Sequence, residues 1–250
     1  MRLRTRRVIG VLLLCSGIAL AIYDRQIAPG YGNTVNPSAD VKLEPSPGTG
    51  SDQASTEPLA ITVLDSMPVK GRAPKTDYKR SQFGHGWSNV DSCDMRNIIL
   101  HRDLKNVVVG GSCKIMSGSL EDPYTGKIIE FTRGEQTSDD VQIDHIVALS
   151  NAWQTGAQQL TLAERTALAN DPLELVAVDG AANQAKGDGD AATWLPPNKS
   201  FRCQYVARQI AVKSKYNLWV TQAEADAIHR VLGDCPSQQL PSPTLRAAGG

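Results

Sequence analysis

Two segments are the most informative about how this chain folds: Val141-Gln-Ile-Asp-His-Ile-Val-Ala-Leu149, and Asn183-Gln-Ala-Lys-Gly-Asp188 further along. The first stretch is an apolar, strand-like run that contains a carboxylate and a histidine side by side. A second apolar run, Leu173-Glu-Leu-Val-Ala-Val178, precedes a polar turn that opens on Asn183. These segments could bring a histidine, a carboxylate and an amide together to hold one hard metal ion and activate one water molecule.

Asp144 and His145 are neighbours on the predicted strand, so their side chains point to opposite faces. Histidine is the side chain best suited to take a proton from water near neutral pH. Asp and Asn oxygens suit a hard divalent ion such as Mg²⁺, which stabilises charge on a phosphate. Each residue alone also has a structural interpretation: Asp144 and His145 as a hydrogen-bonded pair, and Asn183 as a cap or turn residue. Only their combination favours a catalytic site.

The N-terminus is typical of a secretory signal. Arginines at positions 2, 4, 6 and 7 precede the apolar stretch Val8–Ala21, which ends in a small-x-small site. This stretch is short for a spanning helix, which needs roughly 20 residues. We therefore predict that residues 1–21 are a signal peptide, with an uncleaved N-terminal anchor as the alternative. Either way we expect a secreted or envelope-associated protein with no further stable membrane association.

Composition divides the remaining chain into a linker, one domain and a tail. Pro, Ser, Thr, Gly and Asp dominate residues 22–76, and similar residues return in 236–250. Such segments bury too little apolar surface to offset their ordering entropy, so we predict both to be disordered. The run Leu59–Leu64 is the exception, as a candidate strand or docking segment. Residues 77–235 have the usual size of a single domain.

The domain contains four cysteines, Cys93, Cys113, Cys203 and Cys235. An even number in an exported chain indicates two disulfides. Zinc binding is the competing interpretation, but there is no Cys-x-x-Cys pair, and structural zinc ligands usually lie closer together. Four cysteines allow three connectivities, among which we favour Cys93–Cys113 and Cys203–Cys235.

The charge of the domain argues against a broad basic surface. Residues 75–235 contain 17 Lys plus Arg against 20 Asp plus Glu, a net charge of −3. A nucleic-acid substrate would therefore need local cations and a metal ion bound to phosphate. Arg96 and Lys186 are candidates for phosphate contact through charge-assisted hydrogen bonds, with plain surface positions as the alternative.

The periodicity of apolar residues predicts an α+β fold. We expect helices at 92–104, 147–153, 161–169, 204–215 and 221–232, and strands at 107–110, 112–120, 127–132, 141–146 and 173–178. Thr161-Leu-Ala-Glu164 and Thr221-Gln-Ala-Glu224 are typical of capping boxes that begin helices.

Taken together, the Asp-His-Ile-Val-Ala-Leu run, the apolar strand and the Asn-Gln-Ala-Lys-Gly-Asp run resemble the His-Asn-His (HNH, ββα-metal) endonucleases. Residues 144–197, with Asp190-Ala-Ala-Thr-Trp-Leu-Pro-Pro197, are similar to an exported actinobacterial-type branch. That branch is related to the C-terminal domain of modification-dependent, GmrSD-like restriction endonucleases. The likeness extends upstream to Arg80–Trp87 and Cys93–Arg96. It implies a ββα-metal nuclease core with an added small sheet and flanking helices.

The resemblance also implies roles for the site residues. His145 would be the general base, Asp144 a metal ligand, and Asn183 the residue that holds the metal or orients His145. The substrate would be nucleic acid, with DNA expected and RNA as the alternative. Hydrolysis of its phosphodiester bonds would use a single divalent ion.

The sequence departs from the family pattern in one place. Many members supply a further histidine from the closing helix, where this chain has Lys186, Asp188 and Asp190. Asp188 could complete the metal shell, or it is a solvated turn residue. The missing histidine argues against zinc or nickel and for Mg²⁺ or Mn²⁺. Two alternatives stay open: a catalytically inactive, envelope-associated binding or structural module of the same fold, and a phosphoesterase acting on small substrates.

Overall fold

The computed structural model describes residues 57–134 and 138–242, which belong to the compact unit Gln53–Gly250. The predicted signal peptide and residues 22–56 of the predicted linker lie outside the described residues, as do residues 243–250. The elements in chain order are α1 (Ala60–Ser66), β1 (Asn89–Val90), β2 (Cys93–Asp94), α2 (Met95–Asp103), β3 (Leu104–Val109), β4 (Ile115–Glu121), β5 (Ile128–Thr132), β6 (Val141–His145), α3 (Leu149–Gln154), α4 (Leu162–Ala169), β7 (Leu175–Asp179), α5 (Gly180–Lys186), α6 (Arg202–Lys215) and α7 (Gln222–Gly233). Across these ranges, no helix combines the length and apolar character needed to cross a membrane.

Strands β6 and β7 and helix α5 form the ββα unit that carries the candidate site. The two strands pair antiparallel, with His145 opposite Leu175. Strand β7 runs directly into α5, where the Asp179 carboxylate accepts a hydrogen bond of 2.7 Å from the backbone N–H of Ala182. A β-hairpin β1–β2 and a three-stranded meander β3–β4–β5 complete the sheets of the described residues. The predicted α+β class is confirmed.

The β6–β7 sheet is covered on both faces, which explains the unbroken apolar run in its second strand. Leu175 and Ala177 pack with α2 and the β3–β5 meander. Val176 and Val178 pack on the other face with α1, α6 and α7. Because strand side chains alternate between faces, a strand buried on both sides is apolar at successive positions.

Both predicted disulfides and both predicted capping boxes are present. Cys93 bonds to Cys113, joining β2 to the turn before β4, and Cys203 bonds to Cys235, joining α6 to the segment after α7. In each capping box the threonine side chain accepts from the backbone of the glutamate three residues later, and that glutamate bonds back to the threonine N–H. The favoured cysteine pairing is therefore confirmed.

The structure differs from the predicted domain boundaries at both ends. Residues 57–76, predicted as disordered linker, include α1, whose Ala60 and Leu64 are buried against α6 and α7. The described tail residues, 236–242, lie alongside, and the N–H of Ala60 donates to the carbonyl of Gln238 at 2.9 Å. Burial of the apolar residues of α1 and backbone hydrogen bonds between the two segments together explain why both are ordered.

Candidate active site

His145 ends β6, and two contacts fix its imidazole. Its Nε2 lies 3.0 Å from the carbonyl oxygen of Ala169. Its ring stacks on Trp87, with ring centroids 5.9 Å apart and ring planes 8° from parallel. A carbonyl oxygen only accepts hydrogen bonds, so Nε2 carries the hydrogen and donates it. The neutral ring is therefore left with an unprotonated Nδ1 that can accept a proton.

The surroundings of His145 keep its imidazole neutral. Burial and then the positive charge of Arg80 lower the pKa of His145 to about 3. The hydrogen bond to Ala169 opposes this shift, and the charge of Lys186 adds a smaller lowering. The neutral imidazole can accept a proton, but a pKa this far below neutral makes it a weaker base than one whose pKa lies near the working pH.

Asp144 is held through one of its two carboxylate oxygens. Its Oδ2 accepts hydrogen bonds from the Tyr124 hydroxyl and from Lys186 Nζ, the latter at 2.6 Å. Lys186 is completely buried and also donates to the backbone carbonyl of His145 at 2.5 Å. No hydrogen bond from a described residue reaches Oδ1 of Asp144, and Asp144 lines a cavity. That oxygen is free to bind a cation or a water molecule.

Asn183 lies within helix α5, which corrects its prediction as the first residue of a polar turn. Asp179 caps this helix, which begins at Gly180 and places Asn183 in its second turn. The Asn183 side chain is half-buried, and its Nδ2 donates to Gln142 Oε1 at 2.9 Å. This bond orients the amide and leaves its Oδ1 without a hydrogen-bond donor among the described residues.

Asp188 follows α5 and stands at the rim of the same cavity. Its Oδ2 accepts from Ser150 Oγ at 3.0 Å and from Lys75 Nζ at 2.9 Å. These two bonds, the one from Lys75 first, lower the pKa of Asp188. Its side chain is 51% exposed, so Asp188 is both ionised and accessible.

Two adjoining cavities meet at His145. The first, which we name the site cavity, has a volume of about 270 Å³ and is lined by the four predicted site residues Asp144, His145, Asn183 and Asp188. The second, the Trp87 cavity, has a volume of about 340 Å³ and is lined by residues including Arg80, Phe83, His85 and Trp87. Arg80, His145 and Leu149 line both cavities. The histidine therefore forms part of the wall between them.

The groups that the site cavity offers to a cation are side-chain oxygens of Asp and Asn. In the described part of the chain, no group of three or more His, Cys, Asp or Glu side chains is placed to hold a metal. Asp144 and Asn183 line one cavity together with the more exposed Asp188. Mg²⁺ is commonly bound by one or two carboxylates, with waters and substrate phosphate completing its shell. This oxygen-only set fits Mg²⁺ or Mn²⁺ and does not fit a structural zinc site.

The two residues predicted to contact phosphate are used elsewhere. Arg96 lines neither cavity, and its Nη2 donates to the carbonyls of Ser138 and Val141, which lead into β6. Lys186 has a fully buried side chain that donates hydrogen bonds to Asp144 and to the His145 carbonyl. Both cations bond to groups of the protein itself, and their contact with phosphate stays a prediction.

Sequence reasoning missed Arg80, Trp87 and Tyr124. The stretch Arg80–Trp87 belongs to the segment that resembles the family, but no chemistry could be assigned to it. In the structure it supplies the ring that stacks on His145 and the cation that lines both cavities. Tyr124 follows β4 in a turn, 20 residues before its partner Asp144. Only the fold brings these residues to the site.

Comparisons with known proteins identify one family and one relative. Residues 94–231 match the family described as GmrSD restriction endonucleases, C-terminal domain. A protein of Arthroderma benhamiae described as an uncharacterized secreted protein is 38% identical over 197 residues, which cover 78% of this chain and 94% of that protein. No solved structure matches the chain.

Proposed function

Because the chain belongs to the family of GmrSD restriction endonuclease C-terminal domains, we propose that it is a metal-dependent endonuclease. It hydrolyses phosphodiester bonds of DNA, with RNA as the alternative substrate. The hydrogen bond from His145 Nε2 to the Ala169 carbonyl carries the proposal. That bond leaves Nδ1 of a neutral, buried imidazole as the free base where the two cavities meet.

His145 is the general base in this proposal. Nδ1 takes a proton from a water molecule while the water oxygen forms a bond to phosphorus and the P–O bond to the leaving oxygen breaks. The leaving oxygen takes up a proton from solvent to give an alcohol, and His145 returns its proton to solvent. The stacked ring of Trp87 and the carbonyl of Ala169 hold the imidazole in one orientation. Fixed orientation of the base removes much of the entropic cost of bringing the reacting groups together.

Asp144 and Asn183 would hold Mg²⁺ or Mn²⁺, with Asp188 contributing from the rim. When bound, such an ion supplies positive charge that stabilises the scissile phosphate. Lys186 and Tyr124 fix Oδ2 of Asp144 and leave Oδ1 directed to bind a cation. The carboxylates of Asp144 and Asp188 in the lining of the site cavity support this assignment, because Mg²⁺ is commonly bound by one or two carboxylates.

The secreted relative supports an extracytoplasmic location for this chain. The predicted signal at residues 1–21 agrees with that location, and so do the two disulfides, which form in oxidising compartments. We therefore propose that the enzyme acts on nucleic acid outside the cytosol.

Plasmid nicking by residues 22–250 tests the proposal. The chain would be incubated with supercoiled DNA, or with structured RNA, in Mg²⁺, Mn²⁺, Zn²⁺ or chelator. His145→Ala is the test variant, and His101→Ala is the matched control because His101 is exposed and lines neither cavity. Thermal melting of each variant verifies that it is folded.

We expect cleavage with Mg²⁺ or Mn²⁺ that is lost with chelator and in His145→Ala, and that persists in His101→Ala. Removal of a general base lowers the rate by about 10²–10⁴-fold. Cleavage by folded His145→Ala at the wild-type rate would refute the role of His145. No cleavage of DNA or RNA with any of the metals would favour an inactive envelope module of the same fold.

A further inference from the structure

We infer that the Trp87 cavity is a second substrate subsite. In it, Arg80 binds the phosphodiester group next to the cleaved one on the same strand. This inference rests on the proposed function, because it assumes a nucleic-acid substrate at His145. It goes beyond that function by assigning the neighbouring cavity and its ligand class. The chemistry proposed above uses only the site cavity.

Arg80 is a cation without a protein partner at the junction of the cavities. Its side chain is exposed, and it makes no hydrogen bond or ion pair with another described residue. Every other arginine of residues 57–134 and 138–242 except Arg230 bonds to a carboxylate, carbonyl or amide oxygen. The guanidinium of Arg80, which has no hydrogen bond to a described residue, can form two parallel hydrogen bonds to phosphate without breaking a protein contact.

The two cavities differ in the charges that line them. The site cavity therefore suits a metal ion, and the Trp87 cavity suits the anionic backbone of a nucleic-acid strand. The site cavity is lined by two carboxylates, those of Asp144 and Asp188. Among the described residues that line the Trp87 cavity, none is Asp or Glu, and Arg80 and His85 are its ionisable groups besides His145. An anion is therefore attracted to the Trp87 cavity without needing a metal ion.

The segment that carries Arg80 is built as a fixed platform. Residues Arg80–Phe83 form a 3-10 turn, and Phe83 is buried. The guanidinium of Arg165 donates to the carbonyl of Gln82 at 2.7 Å and holds this turn against α4. Gly84 follows with φ +94°, and a Cβ there would lie 3.0 Å from the Thr166 side chain. A preformed loop loses little conformational entropy when it binds a ligand.

The size and walls of the Trp87 cavity suit one nucleotide unit. Its volume of about 340 Å³ lies at the lower end of small-ligand sites, which span roughly 300–1,000 Å³, and is too small for a duplex. Trp87 and Phe83 provide apolar walls, and Arg80 provides a charge at the opening shared with the site cavity. A strand that places one phosphate at His145 would extend its neighbouring nucleotide into this space.

Equilibrium binding tests the inference separately from catalysis. Residues 22–250 carrying His145→Ala would be titrated into a fluorescently labelled single strand and a labelled duplex, with Mg²⁺ present, at several salt concentrations. Arg80→Gln is added as the test variant and Arg80→Lys as the conservative one. Lys79→Gln is the matched control, because Lys79 is an exposed neighbouring cation that lines neither cavity.

Arg80→Gln should weaken binding of the single strand by about 10- to 100-fold, as expected for the loss of hydrogen bonds to a charged group. It should also reduce the slope of log K against log salt by about 0.7, the contribution of one phosphate contact on a single strand. Lys79→Gln should leave both quantities close to those of the parent, and Arg80→Lys should restore the slope but only part of the affinity.

Measurable binding by the parent with equal affinities for Arg80→Gln and Lys79→Gln would overturn the subsite while leaving the proposed nuclease standing. The same is true if affinity falls but the salt slope is unchanged, because that pattern indicates a structural effect. Absence of binding by the parent to either nucleic acid would overturn the subsite and would count against the nucleic-acid substrate as well.

Discussion

Replacing Lys186 with methionine tests how the floor of the site is held together. The Lys186 ammonium lies 2.6 Å from Asp144 Oδ2 and 2.5 Å from the His145 carbonyl, and its side chain is fully buried. Methionine has a similar length and no charge. Lys186→Met therefore leaves the Asp144 carboxylate, whose side chain is 7% exposed, with only the Tyr124 hydroxyl as a described partner.

The magnitude follows from the burial of the pair. Removing one partner of a buried ion pair costs about 3–5 kcal/mol, because the remaining charge stays desolvated. For a domain of this size, that loss corresponds to a decrease in Tm of about 6–20 °C. Removing both charges with Asp144→Asn and Lys186→Met costs much less than the sum of the single changes, because neither variant group is ionised.

Urea denaturation at pH 7 with chelator present would measure the free energies of unfolding of the two single variants and the double variant. We expect a coupling energy of about 2 kcal/mol or more between positions 144 and 186. Lys75→Met is the matched control, because the Lys75–Asp188 pair is half exposed on both sides and contributes at most about 1 kcal/mol. Additivity within about 0.5 kcal/mol would refute the buried pair.

Three further predictions concern stability and titration. Reduction of both disulfides, which close loops with sequence separations of 20 and 32, should cost about 3 kcal/mol each and lower the Tm seen by calorimetry; an unchanged Tm would contradict this. The free energy of unfolding measured in urea should be larger by several kcal/mol for residues 57–242 than for residues 77–235, because the shorter chain lacks α1 and its buried Leu64. Equal urea midpoints would show that residues 57–76 and 236–242 do not stabilise the domain. Since the pKa of His145 is about 3 when folded and about 6.5 when unfolded, the unfolded state binds more protons between these values. Stability should therefore rise with pH across that window, by up to about 1.4 kcal/mol per unit, and His145→Gln should flatten this dependence.

Local sequence signals predicted the parts of the fold that depend on neighbouring residues. The strands that end at His145 and begin at Leu175 follow from continuous apolar runs, and the helices after Thr161 and Thr221 follow from capping boxes. The strands and capping boxes need no knowledge of which distant segments meet, so one sequence suffices to predict them. The favoured cysteine pairing joins sequence-adjacent cysteines and was one of the three that four cysteines allow.

Distant contacts explain what the sequence could not indicate. The sequence offered Lys186 as a contact to phosphate through charge-assisted hydrogen bonds or as a plain surface residue, since lysine is seldom buried unless it is paired. Its partner Asp144 lies 42 residues earlier, and only the β6–β7–α5 arrangement brings the two together. Helix α1 was assigned to the linker because its flanking residues are rich in Pro and Ser, yet its backbone pairs with a segment near the other end of the domain.

The distribution of charge around His145 reconciles a domain of net charge −3 with a polyanionic substrate. Each acid of the site cavity has its own lysine: Asp144 pairs with Lys186, and Asp188 pairs with Lys75. The four charges cancel, so the unpaired guanidinium of Arg80 sets the local sign as positive before any metal binds. A bound divalent ion would add positive charge next to the substrate. The acidic residues elsewhere on the domain have little effect there, because salt screens charges more than about 8–10 Å away. Substrate binding would therefore depend on this cluster and on the metal, and it would tolerate an acidic surface elsewhere.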